Sequence, residues 1–170
     1  RFRAQANHDN LTGLYNRRYL YASLERLIPA SLAHNTPLSL LFFDLDNFKQ
    51  IVDTYGHLHG STAIREVAQT IRQALHEPAY AVAYAGDEFV VVLPGLDQHQ
   101  AIAQAEDLQR RIHKHVYLAE QGEGVRIQVS CGIATIPGHA SDVTGLMAAA
   151  DQALFAVKRN GKGTICVAGS

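Results

Sequence analysis

The chain has no tryptophan, one methionine, two cysteines and no excess of either charge: 15 Lys and Arg stand against 16 Asp and Glu, a formal net charge of −1. Cys131 and Cys166 are too few for a disulfide scaffold. Both lie in apolar, strand-like runs where a buried free thiol is the common case, which points to a reducing, cytoplasmic compartment. Balanced charge excludes attachment to nucleic acid or an anionic membrane by bulk charge, so any phosphate recognition has to be local. No apolar run approaches the roughly 20 residues of a membrane span, and the opening Arg1-Phe2-Arg3-Ala4-Gln5 has no signal-like apolar stretch. Neither nucleic acid nor direct membrane contact is therefore expected. Low-complexity tracts, Ser/Gly linkers and repeats are also missing. What is present is an ordinary globular composition, 47% apolar and 18% charged over 170 residues, enough for one core. The abrupt polar start without an initiator Met reads as the end of a linker over 1–8, leading into one domain over 9–170.

Periodicity supplies the elements. From Asn16 apolar residues recur at helical spacing until Pro29, which predicts a first amphipathic helix. Leu38 to Phe43 is almost wholly apolar and too short for a helix, so it reads as a central strand running into Asp44-Leu45-Asp46. A second helix is expected over about Ser61 to Leu75, ended by Pro78. Tyr80–Tyr84 and Phe89–Leu93 read as a hairpin whose tip is Ala85-Gly86-Asp87-Glu88. Helices over about His99–His115 and Val143–Lys158, with strands over Val125–Ile136 and Thr164–Val167, complete the order α-β-α-β-β-α-β-α-β. That order predicts an α/β (α+β) fold, a mixed sheet with helices packed on it.

The chemistry gathers at strand ends. Asp44 and Asp46 close one predicted strand, and Asp87 and Glu88 tip the next hairpin. Carboxylates converging at the edge of an apolar sheet repel unless a divalent cation neutralises them, and hard oxygen ligands suit Mg²⁺. The same residues could instead cap a helix and solvate a turn. In the turn after the first strand, Asn47-Phe48-Lys49, backbone N–H groups could face a polyphosphate. Lys158-Arg159-Asn160-Gly161-Lys162 could reach phosphate oxygens or simply offset the negative end of the last helix. The histidine pairs His57/His59 and His113/His115 diverge at i, i+2 spacing on a helix and read as turn and surface residues.

Five ordered motifs bind these cues together. Asp9-Asn10-Leu11-Thr12-Gly13-Leu14-Tyr15-Asn16-Arg17-Arg18, Phe43-Asp44-Leu45-Asp46-Asn47-Phe48-Lys49, Asp53-Thr54-Tyr55-Gly56-His57, Ala85-Gly86-Asp87-Glu88-Phe89, and Ala150-Asp151-Gln152-Ala153-Leu154-Phe155 with Lys158 follow one another across nearly the whole chain. In this the sequence resembles GGDEF domains, the diguanylate cyclases, with Ala85 in place of the first glycine of the signature hairpin. The resemblance implies a palm-type, nucleotidyl-cyclase-like sheet holding one nucleoside triphosphate, with two copies meeting face to face as a homodimer. It implies that Asp44, the Leu45 carbonyl and Asp87 coordinate Mg²⁺, Mn²⁺ being the alternative, and that Glu88 assists deprotonation of a 3′-hydroxyl. The backbone at Asn47, Phe48 and Lys49 and the side chains of Lys158 and Lys162 would hold phosphates.

Three departures qualify it. The two polar groups with which the family reads guanine are replaced by Val52 and Ser61. Loss of the expected carboxylate removes a selective hydrogen-bond acceptor, while a serine hydroxyl donates and accepts and so tolerates either purine. Serine at this position is similar to the hybrid promiscuous (Hypr) subset, which joins GTP and ATP into 3′,3′-cyclic GMP-AMP as well as making cyclic di-GMP; GTP and ATP are thus the expected substrates. The alternative is a degenerate, non-catalytic module that binds nucleotide and regulates an attached domain. The arginine expected before the hairpin is Ala83. The inhibitory R-x-x-D would fall on His76-Glu77-Pro78-Ala79, so no product site of that kind is expected.

Overall fold

The structure, a computed structural model, describes residues 6–170. Five strands, β1 (Leu38–Leu45), β2 (Tyr80–Ala85), β3 (Glu88–Pro94), β4 (Val129–Ile136) and β5 (Ile165–Val167), form one sheet in the order β2-β3-β1-β4-β5. β1 is central and antiparallel to both neighbours, and β5 is parallel to β4, so the sheet is mixed as expected. Among the described residues the sheet is accompanied by the helices α1 (Arg17–Ala33), α2 (Phe48–Tyr55), α3 (His57–Ala74), α4 (Gln98–Lys114) and α5 (Val143–Arg159).

The alternation of a strand decides which helix faces which residue. Leu41, Phe43 and Leu45 of β1 join Val67 and Ile71 of α3 and Leu108 and Ile112 of α4 in one core. The even-numbered Leu38, Leu40 and Phe42 join Leu20, Leu24 and Ile28 of α1 and Met147, Ala150 and Leu154 of α5 in the other. Helices thus cover both faces. Asp44 continues the even series, toward α5. On β4 the contact with α5 is closest at Gly132, where a Cβ would lie 2.2 Å from the Ala150 carbonyl oxygen and 2.5 Å from the Leu154 nitrogen. The helix backbone rests directly on the sheet backbone there.

Three sequence-based boundaries need correction. α1 does not stop at Pro29 but runs to Ala33. The carbonyl left without its i+4 donor belongs to exposed Glu25, where solvent can satisfy it, and buried Ile28 and Ser31 hold both sides of the proline in place. Phe48 and Lys49 are not a loop but the first turn of α2, an additional helix. The strand expected from Val125 begins at Val129, because β1 ends at its partner Leu45; Val125 instead makes an isolated bridge with Tyr117. Cys131 is buried as expected, whereas Cys166 is half-buried.

Candidate functional site

β1 and the β2–β3 hairpin deliver the carboxylates. Asp44 is the register partner of Glu88, and the Leu45 N–H donates to the Asp87 carbonyl oxygen at 3.1 Å, pinning the hairpin tip to the end of the central strand. Like charges directly opposite in a sheet repel. Burial and then Asp87 push the Asp44 carboxyl up to about 6, with Lys158 opposing and Glu88 reinforcing the shift. Burial, Asp87 and Asp151 likewise raise Glu88, while Arg17 and Lys158 pull it down. A second constraint fixes the hairpin from outside. Arg17 donates to the Tyr84 carbonyl through Nε (3.2 Å) and Nη2 (3.1 Å), and its guanidinium lies 3.9 Å over the Tyr84 ring.

The basic residues divide. Lys158, at the end of α5, reaches back to the strand end, 3.4 Å from Asp44 Oδ2 and 2.8 Å from Asp46 Oδ1. Lys162 Nζ donates to Asn47 Oδ1 at 3.0 Å. Lys49 turns away: its side chain is 87% exposed and pairs with Asp53 at 3.1 Å, so only its backbone stays at the site. The lysine side chains that remain at this edge are Lys158 and Lys162. Asn47 adopts a left-handed conformation (φ 58°) and opens α2. The Phe48 and Lys49 N–H groups are first-turn donors with no acceptor inside the helix, available to an anion.

Asp46 is the residue whose role the sequence did not disclose. It does not join the outer carboxylates but is 98% buried at the side chain, accepting from Ser130 Oγ (2.7 Å), Lys158 Nζ (2.8 Å) and the Gly163 N–H (2.9 Å). The sequence signals were the apolar strand it follows and polar Ser130 near the start of the apolar run of β4.

Where α2 and α3 cross, Val52 packs against Gly60, the residue before Ser61. A Cβ on Gly60 would lie 3.0 Å from Val52 Cγ2 and 3.4 Å from Phe48 Cζ, so the glycine lets Val52 and Phe48 close on the helix one residue before Ser61. The histidines find partners away from this edge: His59 bonds the Tyr55 carbonyl one turn back at 3.0 Å, and His115 meets Glu66 of α3 at 2.9 Å. A cleft of about 700 Å³ lies elsewhere, lined in part by Tyr15, Tyr19, Arg72, Glu77 and Tyr80, and has no part in this edge.

The donors fit Mg²⁺. No group of three or more His, Cys, Asp or Glu side chains that could share a metal occurs among the described residues. Mg²⁺ nevertheless commonly takes only one or two carboxylates and completes its shell with water and substrate phosphate, and the mutual repulsion that raises Asp44 is what a cation would relieve.

A mixed sheet clad by helices, with acids at the end of its central strand and facing hairpin and helix N–H groups beside them, defines a nucleotidyl-cyclase-like palm. The family description "Diguanylate cyclase, GGDEF domain" matches residues 6–164, and the chain belongs to that family. It is 36% identical over 163 residues to the diguanylate cyclase DosC of Shigella sonnei, covering 96% of this chain and 35% of DosC. It superposes on the GGDEF domain of TpbB from Pseudomonas aeruginosa with a TM-score of 0.91 at 33% identity, covering 95% of this chain and 94% of that domain. For the coiled coil and GGDEF domain of DgcB from Caulobacter crescentus, in complex with c-di-GMP, the TM-score is 0.90 at 29% identity, with 98% and 88% covered. The chain spans about a quarter to a third of the length of the curated relatives it matches.

Proposed function

We propose that this domain is a cyclic-dinucleotide synthase of the diguanylate cyclase type, working as one half of a homodimer. The observation that carries the reading is the convergence of Asp44, Asp87, Glu88 and Lys158 at one strand end. Asp44, the Leu45 carbonyl and Asp87 would hold Mg²⁺, which when bound draws the triphosphate to the acids and offsets charge as pyrophosphate departs. The N–H groups at the start of α2, with Lys158 and Lys162, would orient the β- and γ-phosphates. In each displacement a 3′-oxygen forms a bond to the α-phosphorus of the facing nucleotide. The bond from that phosphorus to the β-phosphate bridge breaks, and the hydroxyl proton passes to Glu88 directly or through water. Two displacements close the ring and release two pyrophosphates. Burial raises Glu88, which suits a group that must accept a proton near neutral pH.

Base choice is the finer part of the proposal. With apolar Val52 packed at Gly60 and Ser61 beside it, the wall of the proposed base site offers no carboxylate to select guanine. The domain then accepts GTP with ATP as well as two GTP, giving cyclic GMP-AMP and cyclic di-GMP. The test is incubation with Mg²⁺ and GTP, ATP or both, with products separated by chromatography and identified by mass. Mixed cyclic GMP-AMP from equimolar nucleotides is expected. Cyclic di-GMP alone overturns the relaxed choice, and nucleotide binding without product, at high concentration and with Ala83→Arg tried as well, overturns the synthase in favour of a regulatory module.

A further inference from the structure

Asp46 lies two residues beyond Asp44 on the same strand end but has a different environment. Its carboxylate is almost fully buried and takes three donors, from three elements: the Lys158 ammonium on α5, the Ser130 hydroxyl on β4 and the Gly163 N–H in the turn before β5. Its own N–H donates to the Gln128 carbonyl at 2.8 Å. Ser130 Oγ also accepts from the Gly163 N–H at 3.0 Å, closing a small ring of bonds around the carboxylate. A buried charge removed from water is tolerated when its lone pairs are filled in this way, and removing it strands the partner cation.

Both candidate phosphate arms hang on this ring. Lys158 is held directly. Lys162 is the residue before Gly163 and sits in a left-handed conformation (φ 68°), its N–H on the Val157 carbonyl and its ammonium on Asn47. Lys158 has two carboxylates within reach, and the shorter contact is to Asp46, at 2.8 Å against 3.4 Å to Asp44. Coulomb attraction would bring the ammonium wholly onto Asp44 if Asp46 lost its charge. There it would compete with a divalent cation for the same oxygens.

We propose that Asp46 is a positioning residue that draws Lys158 off Asp44, leaving Asp44 free for the divalent cation, and that anchors through Gly163 the turn carrying Lys162. The inference rests on the synthase reading above but assigns Asp46 no contact with substrate or metal. Asp46→Asn keeps the shape and removes the charge. Its effect is read as binding, not turnover: Mn²⁺ is titrated into the chain with a GTP analogue bearing a methylene α–β bridge, following the free-ion signal by electron paramagnetic resonance.

Outer-sphere partners of metal ligands commonly contribute 10- to 100-fold in affinity, so Asp46→Asn should raise the Mn²⁺ midpoint about 10-fold. Lys158→Met in the same background should remove the competitor and bring the midpoint back to that of Lys158→Met alone. A merely structural role would not show this rescue. Asp46→Ser, smaller and still able to accept from Gly163, is measured beside it, so the test stands if the amide variant does not fold. An unmoved midpoint in a folded variant, or a raised one that Lys158→Met leaves raised, overturns the inference while the synthase reading survives. A wild-type chain that binds neither Mn²⁺ nor the analogue overturns both.

Discussion

Asp44 answers to influences of opposite sign: burial and the neighbouring acids favour its neutral form, and Lys158 favours its charged one. The balance leaves its carboxyl at about 6, above the ordinary 3.8, so the folded chain binds this proton more tightly than the unfolded chain does. The stabilisation this gives is complete below about pH 3.8 and is lost as pH rises through about 6. Above that range the ionised carboxylate costs the metal-free fold roughly 2 kcal/mol, after discounting for its partial exposure. In chelator, Asp44→Asn should therefore melt higher than wild type at pH 8, with the gap closing toward pH 4; a gap constant across pH would refute it. Added Mg²⁺ should raise the wild-type melting temperature but not that of the variant. At this scale the sequence was informative wherever a residue's type alone implied a partner. Acids ending apolar strands had to be neutralised, and Asp44 and Glu88 do face each other. Lys49 and Asp46 show where type fails: one lysine turns out to a neighbouring Asp53, and one aspartate turns in to a serine 84 positions away.

Elements were legible when their pattern was long. α3, α4 and α5 carry buried residues at helical spacing over three turns or more, and the apolar runs of β2 and β3 on either side of an acidic tip placed the hairpin correctly. α2 was not legible, for physical reasons. It is eight residues long, buries only Ile51 fully, includes β-branched Val52 and Thr54, and its N-cap Asn47 makes no side-chain capping bond. What holds it is its crossing with α3, and Gly60 makes that crossing close. Gly60→Ala would place a methyl group 3.0 Å from Val52 Cγ2. The overpacking costs about 1–3 kcal/mol, offset by about 1 kcal/mol of helix propensity gained in α3, so the domain should lose up to about 2 kcal/mol, read from urea unfolding, and lose nucleotide affinity beyond that, since the same crossing sets Phe48 and the first N–H groups of α2. Loss of stability with affinity intact would separate the crossing from the site.

The molecule as a whole carries almost no net charge, yet its working edge concentrates acids against two lysines within a single sheet end. On the proposed reading, one such edge would hold one nucleotide and supply one set of acids. If two are needed, the rate per domain should rise in proportion to concentration in dilute solution and level off once pairs form. Analytical ultracentrifugation and initial rates over a dilution series check this; a rate per domain independent of concentration, with only monomer sedimenting, would contradict the homodimer. Gly132 extends that reasoning to mechanics. With no side chain between β4 and α5, the helix is seated backbone on backbone, and Lys158 stands only four residues beyond the Leu154 contact, about 6 Å along the axis. That makes α5 a short lever on a fixed fulcrum: a single methyl at the fulcrum tilts the ammonium by a comparable distance, and no repacking of neighbouring side chains can take up the slack. The alignment of the edge is consequently set two residues inward from Asp44 and Ser130, at the Gly132–Phe42 pair, by a residue with no side chain of its own.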